Sequence, residues 1–198
     1  QQLVAIVQSM GIIVKPHVPR MIKLVEARWV PDKPAAISIV SLLETLVGVL
    51  KGDSLSFMSK TISLLMCYHQ YLKRQRKSAP INARLATSLH KLCSTIATIA
   101  PYLTSFSGVA LQIMLSELES VDAADPVSIK SSVLSSLMSL LCSCDVGEHL
   151  TRLARSLAQK WNNGALEDTI DSVLDTFRPI HSIDGRLKVY AYLGEPNA

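Results

Sequence analysis

The cysteines and histidines are the side chains of this sequence best suited to bind a metal ion. Cys142 and Cys144 are two positions apart, and so are Cys67 and His69. Structural zinc sites usually pair two C-x₂₋₄-C knuckles, and residues two apart on a helix point about 200° apart around its axis. If these segments are helical, neither pair can chelate one ion. We therefore expect no metal site, and reduced thiols as in cytosol or nucleus.

No pattern for acid–base or nucleophilic chemistry accompanies these residues. The five histidines fall in separate segments: His17, His69, His90, His149 and His181. There is no G-x-S-x-G, no H-E-x-x-H and no glycine-rich phosphate loop. The acidic residues of "LEDTIDSVLD" fall on the polar side of a helical pattern. We predict that this segment contains no catalytic residue, no cofactor and no small-molecule substrate.

The run "YLKRQRKSAP" carries the highest local charge, in Lys73, Arg74, Arg76 and Lys77. Such a run could attract an acidic protein surface, a nuclear import receptor or phosphate groups. The alternative is a solvated loop between two structural repeats. A net charge of +4 and the lack of aromatic residues between the four charged residues argue against nucleic acid. These four residues are our candidate partner-binding site.

The elements that must position these side chains are helices. In "VGEHLTRLARSLAQKW" the apolar residues Val146, Leu150, Leu153, Leu157 and Trp161 fall on one helical face. The same period predicts ten helices, near 2–13, 16–29, 34–51, 54–74, 80–99, 101–119, 126–144, 146–161, 165–178 and 183–194. No segment alternates as a strand does, so we expect an all-α fold.

Prolines mark a repeat in this helical pattern. Pro34, Pro80 and Pro126 are 46 residues apart, and each is placed where a helix should start, because a first-turn proline loses no hydrogen bond. Second helices are expected to begin near Leu55, Pro101 and Val146. A two-helix period of this length is typical of HEAT and armadillo repeats, which predicts a right-handed superhelical α-solenoid.

The repeat divides the chain into five helical hairpins within one segment. Their expected bounds are 1–29, 34–74, 80–119, 126–161 and 165–194. Because the sequence begins and ends within apolar-periodic segments, we expect it to belong to a longer polypeptide. Pro16 and Pro19 should form the corner of the first hairpin.

Two further expectations concern caps and core positions. Asp125 and Asp145 are predicted helix N-caps. Nine positions are predicted to be core: Leu43, Val47, Leu64, Leu89, Ile96, Leu137, Leu141, Leu153 and Leu157. The apolar stretch 37–50 is interrupted by polar residues, so we expect a core helix and no membrane span.

In this helical context the chain resembles the HEAT-repeat region of the target-of-rapamycin (TOR) protein kinases. "QQLVAIVQSMGIIVKPHVPRMIKLVEARW" is similar through Gln1, Gln2, Leu3, Lys15, Pro16, His17, Glu26, Arg28 and Trp29. "SIVSLLETLVGVLKGDSLSFM" is similar through Leu43, Glu44, Val47, Leu50 and Gly52. A third stretch is similar through Asp122, Ala123, Pro126, Ser128, Lys130, Leu134, Leu137, Asp145 and Arg152. The resemblance ends near "WNNGAL", and the basic run is more basic than in the family.

The resemblance implies a non-catalytic scaffold of a TOR-like serine/threonine kinase whose active site would lie in a later domain. It implies protein partners, namely Raptor- or Rictor-type subunits and a second copy in a homodimer, in growth and nutrient signalling. It implies a cytoplasmic location, with nuclear or peripheral endomembrane placement through partners as alternatives. The competing interpretation is a HEAT adaptor or transport-type scaffold with no kinase attached.

Overall fold

The structure, a computed structural model, describes residues 2–144 and 150–166, and these contain eight α-helices and no strand. The helices are α1 Gln2–Met10, α2 Val18–Arg28, α3 Ala35–Leu50, α4 Leu55–Ser78, α5 Ala83–Ile99, α6 Ser107–Ser120, α7 Val127–Ser143 and α8 Leu150–Asn162. The all-α prediction is confirmed. Several predictions fall outside the described residues, namely the helix near 183–194, the cap at Asp145 and the helix start at Val146. Of the helix expected near 165–178, only residues 165 and 166 are described.

The connection between α1 and α2 is a 3₁₀ turn that begins at a glycine and contains Pro16. Gly11 has φ 55°, and the turn runs over Gly11–His17. Pro19 stands in the first turn of α2, as predicted. The left-handed conformation at Gly11 is one that other residues adopt only with strain, so the connection needs this glycine as well as the predicted proline.

Two predicted helix starts differ from the structure. α5 begins three residues after Pro80, because the side chain of Asn82 accepts a hydrogen bond from the Leu85 amide at 2.9 Å and caps the helix there. Asp125 does not cap α7, whose N-cap is Pro126. Its carboxylate instead accepts from the Asp122 amide and from Arg76. Proline spacing therefore located the helix starts only to within a few residues.

The helices contact one another in two series. α3 packs between α1 and α5, and α5 packs between α3 and α7. In the second series, α2 contacts α4, α4 contacts α6, and α6 contacts α8. Further contacts join the series, notably α4 with α5 and α6 with α7. The helices α3 to α6 therefore each pack between two other helices of their own series.

The buried residues form one continuous hydrophobic core along these contacts. Seven of the nine predicted core positions are buried, namely Leu43, Val47, Leu64, Leu89, Ile96, Leu137 and Leu153. Leu141 and Leu157 are half-buried and pack against the core. The helical faces were therefore read correctly from the apolar period.

Polar side chains also join successive hairpins. Ser136 of α7 donates to the Cys93 carbonyl of α5 at 2.8 Å, within the core. Arg152 of α8 forms a two-armed ion pair with Glu119 of α6, with both N–O distances 2.8 Å. Hydrogen bonding to Arg152 holds the pKa of the Glu119 carboxyl below its ordinary value. These bonds fix how one hairpin lies on the next.

The stretch Ala35–Ser78 is long and apolar enough to cross a membrane by length and composition alone, a test that core helices of soluble proteins also pass. In the structure this stretch is two helices. Lys51, with φ 49° and ψ −120°, separates α3 from α4.

Truncating a leucine in the centre of α3 should destabilise the protein. Leu46 is fully buried, so Leu46→Ala is expected to lower the free energy of unfolding by about 2–5 kcal/mol through the cavity it leaves. Leu24, which is 58% exposed on α2, provides the control, and Leu24→Ala should change the value by less than about 0.5 kcal/mol. Urea unfolding followed by circular dichroism measures both, and equal losses would mean that α3 is not packed between two neighbours.

Candidate interaction site at the end of helix α4

The basic run is helical and occupies the last turns of α4. α4 continues to Ser78, with Arg76 and Lys77 in its last turn. Lysine and arginine are good helix formers, and positive side chains are favourable beside the carbonyl end of a helix. The expectation of a solvated loop between hairpins is therefore wrong, and helical geometry turns the four side chains in different directions.

Arg76 points toward the neighbouring hairpin. Its guanidinium contacts the carboxylate of Glu117 on α6 at 3.4 Å and forms an ion pair with Asp125, which precedes α7. The Arg76 side chain is only 11% exposed and that of Glu117 only 2%. Arg76 is thus the counter-ion of a buried carboxylate and belongs to the internal structure.

Two more polar residues of α4 face α6. The Lys73 ammonium donates to the Ser116 hydroxyl at 2.7 Å. The His69 Nε2 atom lies 2.9 Å from a Glu117 carboxylate oxygen, but it is buried and the angle is unsuitable for a hydrogen bond. This side of α4 is therefore a polar contact between hairpins, centred on Glu117.

Arg74 and Lys77 remain available to a partner. Both are exposed, and neither has an ion-pair partner among the residues that the structure describes. The four candidates thus divide into two that lie inward, Lys73 and Arg76, and two that face solvent. Whether the solvent-facing pair binds another protein stays a prediction.

A cleft that the sequence did not suggest lies on another side of the same helix end. It has a volume of about 160 Å³ and is formed by the α2–α3 connection, the end of α4 and the start of α5. Its lining residues are Pro31, Lys33, Pro34, Ile37, Tyr68, Tyr71, Leu72, Gln75, Ala79, Pro80, Asn82, Arg84, Leu85 and Ser88. These residues come from three separate segments, so no local sequence motif could have predicted the cleft.

The residues considered for metal binding are dispersed among the described helices. Within 2–144 and 150–166, no group of three or more His, Cys, Asp or Glu side chains could hold an ion. Cys67 and Cys142 are exposed, whereas Cys93 is fully buried and burial raises the pKa of its thiol far above the ordinary value. His149 and His181 lie outside the described residues.

No family model, curated protein or solved structure matches this chain. The function therefore has to be inferred from the geometry of the described residues.

Reversing the charge of Arg76 should destabilise the fold, whereas reversing Arg74 should not. Arg76→Glu leaves Glu117 without its counter-ion and adds a third carboxylate, which is expected to lower the free energy of unfolding by about 3–5 kcal/mol. Arg74→Glu, two residues away and exposed, should change it by less than about 0.5 kcal/mol. Urea unfolding of the two variants makes the comparison. A tolerated Arg76→Glu would show that the Glu117 contact does not join the hairpins.

The cysteines should differ in reactivity with a thiol reagent. Cys67 is exposed and should react in the native protein, whereas the buried Cys93, with its raised pKa, should react only after unfolding. Timed alkylation with peptide mass spectrometry measures the two rates. Comparable rates in the absence of denaturant would contradict the packing of α5 against α7.

Proposed function

We propose that this chain is a non-catalytic protein-interaction scaffold built as a right-handed α-solenoid of HEAT/armadillo-type hairpins. The observation that carries the proposal is the pair of helix series, in which α1, α3, α5 and α7 contact in order and α2, α4, α6 and α8 do the same. Stacked repeats produce this pattern because each hairpin contacts mainly its neighbours.

A stack of hairpins exposes a long surface on which other molecules can bind. Each added hairpin lengthens the two outer faces, whereas a single-core domain of the same size would bury them. The described surface includes exposed cations from several hairpins, among them Lys23 of α2, Lys51 before α4, Lys77 of α4 and Arg155 of α8. A protein partner can bind across several hairpins at once.

For the parent polypeptide we propose a TOR-like serine/threonine kinase, supported by the residue resemblances given above. In that setting the segment would hold dimer contacts or Raptor- or Rictor-type subunits, and it would affect phosphorylation only through positioning. Sequencing the complete reading frame tests this. A kinase catalytic loop followed by Asp-Phe-Gly downstream would support it, and a frame without them leaves the adaptor interpretation.

The stacked arrangement predicts that a destabilising change acts on neighbours first. Leu137→Ala in α7 should accelerate amide hydrogen exchange in α5, α6 and α7 and leave α1 and α2 nearly unchanged. Leu46→Ala in α3 is the matched variant. It should accelerate exchange most in α3 and in the helices that contact it, and least in α8. Hydrogen exchange followed by mass spectrometry resolves both, and uniform acceleration along the chain would exclude a stack.

Partner binding is tested on the full-length protein. Lysine cross-linking and mass spectrometry should give cross-links from exposed lysines such as Lys23, Lys51 and Lys77 to another polypeptide or to a second copy. Cross-links confined to the chain itself would contradict a scaffold role.

A further inference from the structure

The cleft beside the end of α4, whose lining is given above, has the composition of a binding site for a negatively charged group. Its lining includes the cations Lys33 and Arg84 and no carboxylate side chain. Lys33 makes no ion pair with any described residue. Arg84 uses one nitrogen, Nη2, to donate to the Asp32 carbonyl at 2.9 Å, which leaves its other N–H groups available. The cleft therefore presents unpaired donors.

The surrounding helices reinforce this charge. α3 and α5 both begin at the cleft, with Pro34 and Asn82 as their N-caps, and neither has an acidic residue in its first turn. The amide ends of helices carry a partial positive charge. The carbonyl end of α4 also lies here, but Arg76 and Lys77 stand in its last turn. The cations of the cleft thus act in a field with no acidic side chain from its lining.

The walls of the cleft are rigid and partly aromatic. Tyr71 is half-buried and stacks on the buried Tyr68, with ring centroids 6.5 Å apart and an interplanar angle of 13°. Trp29 packs edge-on against the other side of Tyr68 at 5.9 Å. Three prolines form part of the rim, and their fixed φ limits its rearrangement. A preformed site of this kind loses little conformational entropy on binding.

The size of the cleft limits what can enter it. Sites for drug-sized molecules usually measure about 300–1,000 Å³, so a volume of about 160 Å³ suits one side chain of a larger partner. A nucleic acid would need a track of several cations to follow its phosphates. Here two cations line one small pocket with a mixed polar and aromatic lining, which suits a single carboxylate and the chain that carries it.

From these contacts we infer that the cleft binds an acidic, extended peptide segment of a protein partner. One glutamate or aspartate side chain enters between Lys33 and Arg84, and its backbone lies over Tyr71 and the proline rim. The inference rests on the proposed scaffold role and names the partner chemistry for one part of it. Arg74 is exposed on α4, three residues after Tyr71, and would attract acidic residues that flank the bound side chain.

The test uses a fluorescein-labelled octapeptide of alternating glutamate and proline, with glutamine in place of glutamate as the control peptide. Fluorescence anisotropy with the purified chain should give binding of the glutamate peptide that is at least about tenfold tighter than binding of the glutamine peptide. Raising NaCl from about 50 to about 200 mM should weaken it. Equal binding of the two peptides, or no binding of either, would overturn the inference.

Matched variants locate the binding. Lys33→Glu should weaken binding of the glutamate peptide by about tenfold or more. Lys23→Glu makes the same charge change at an exposed position of α2 outside the cleft, and it should weaken binding by less than about twofold. Tyr71→Leu tests the aromatic wall and should also weaken binding. Thermal melting confirms that each variant is folded. Equal losses for Lys33→Glu and Lys23→Glu would mean unspecific charge attraction and would refute the site.

Three further outcomes separate this inference from the scaffold proposal and from other ligands. One outcome is that cross-links between the full-length protein and another polypeptide persist unchanged in the Lys33→Glu variant. In that case the scaffold role stands, and the cleft is not the surface that binds this partner. If the wild type gives no companion cross-links, the scaffold role fails, while the peptide titration still decides the chemistry of the cleft. Tighter binding of a labelled uridine decamer than of the glutamate peptide would refute the peptide assignment.

Discussion

Helix α3 is apolar around most of its circumference, and one neighbouring helix cannot cover such a surface. α3 buries seven residues distributed over several faces, namely Ala36, Val40, Leu42, Leu43, Leu46, Val47 and Leu50. α1 covers one flank and α5 the other. α5 in turn packs against α7. The broad apolar surface of α3 thus accounts for its position between two helices of its series.

Hydrophobic contact alone would allow neighbouring hairpins to slide along one another, because it has no direction. Directional bonds between side chains fix their relative position. Glu44 of α3 receives Lys91 and Thr98 of α5, and Arg76 joins α4 to Glu117 of α6. A buried charge that loses its counter-ion is strongly unfavourable, so displaced arrangements are penalised. The conspicuous basic run of the sequence therefore serves two purposes, with Lys73 and Arg76 used internally and Arg74 and Lys77 left on the surface.

The helices and their buried faces could be predicted because both follow from local apolar periodicity. Seven of nine expected core positions are buried, and α4 begins at Leu55 as expected. The starts of helices were harder to predict where several neighbouring residues could serve as the N-cap. Asn82 caps α5 in preference to a start at Pro80, and Asp125 turns toward Arg76 instead of capping α7. The cleft could not be predicted, since Lys33, Tyr71 and Arg84 lie in three separate segments. Only tertiary packing, including that of α4 against α5, brings these segments together, and no local sequence pattern reports it.

Among the described residues, the side-chain hydrogen bonds between different helices join residues that are 33 to 54 positions apart. None of the described helices depends on a distant part of the chain for these bonds. Proteins dominated by such near-neighbour contacts fold rapidly, and domains fold from the N-terminus as synthesis proceeds. A helix pair that contacts its predecessor in the sequence can pack soon after both have been synthesised. Such an order of packing would shorten the time for which the apolar faces of the helices stay exposed during synthesis.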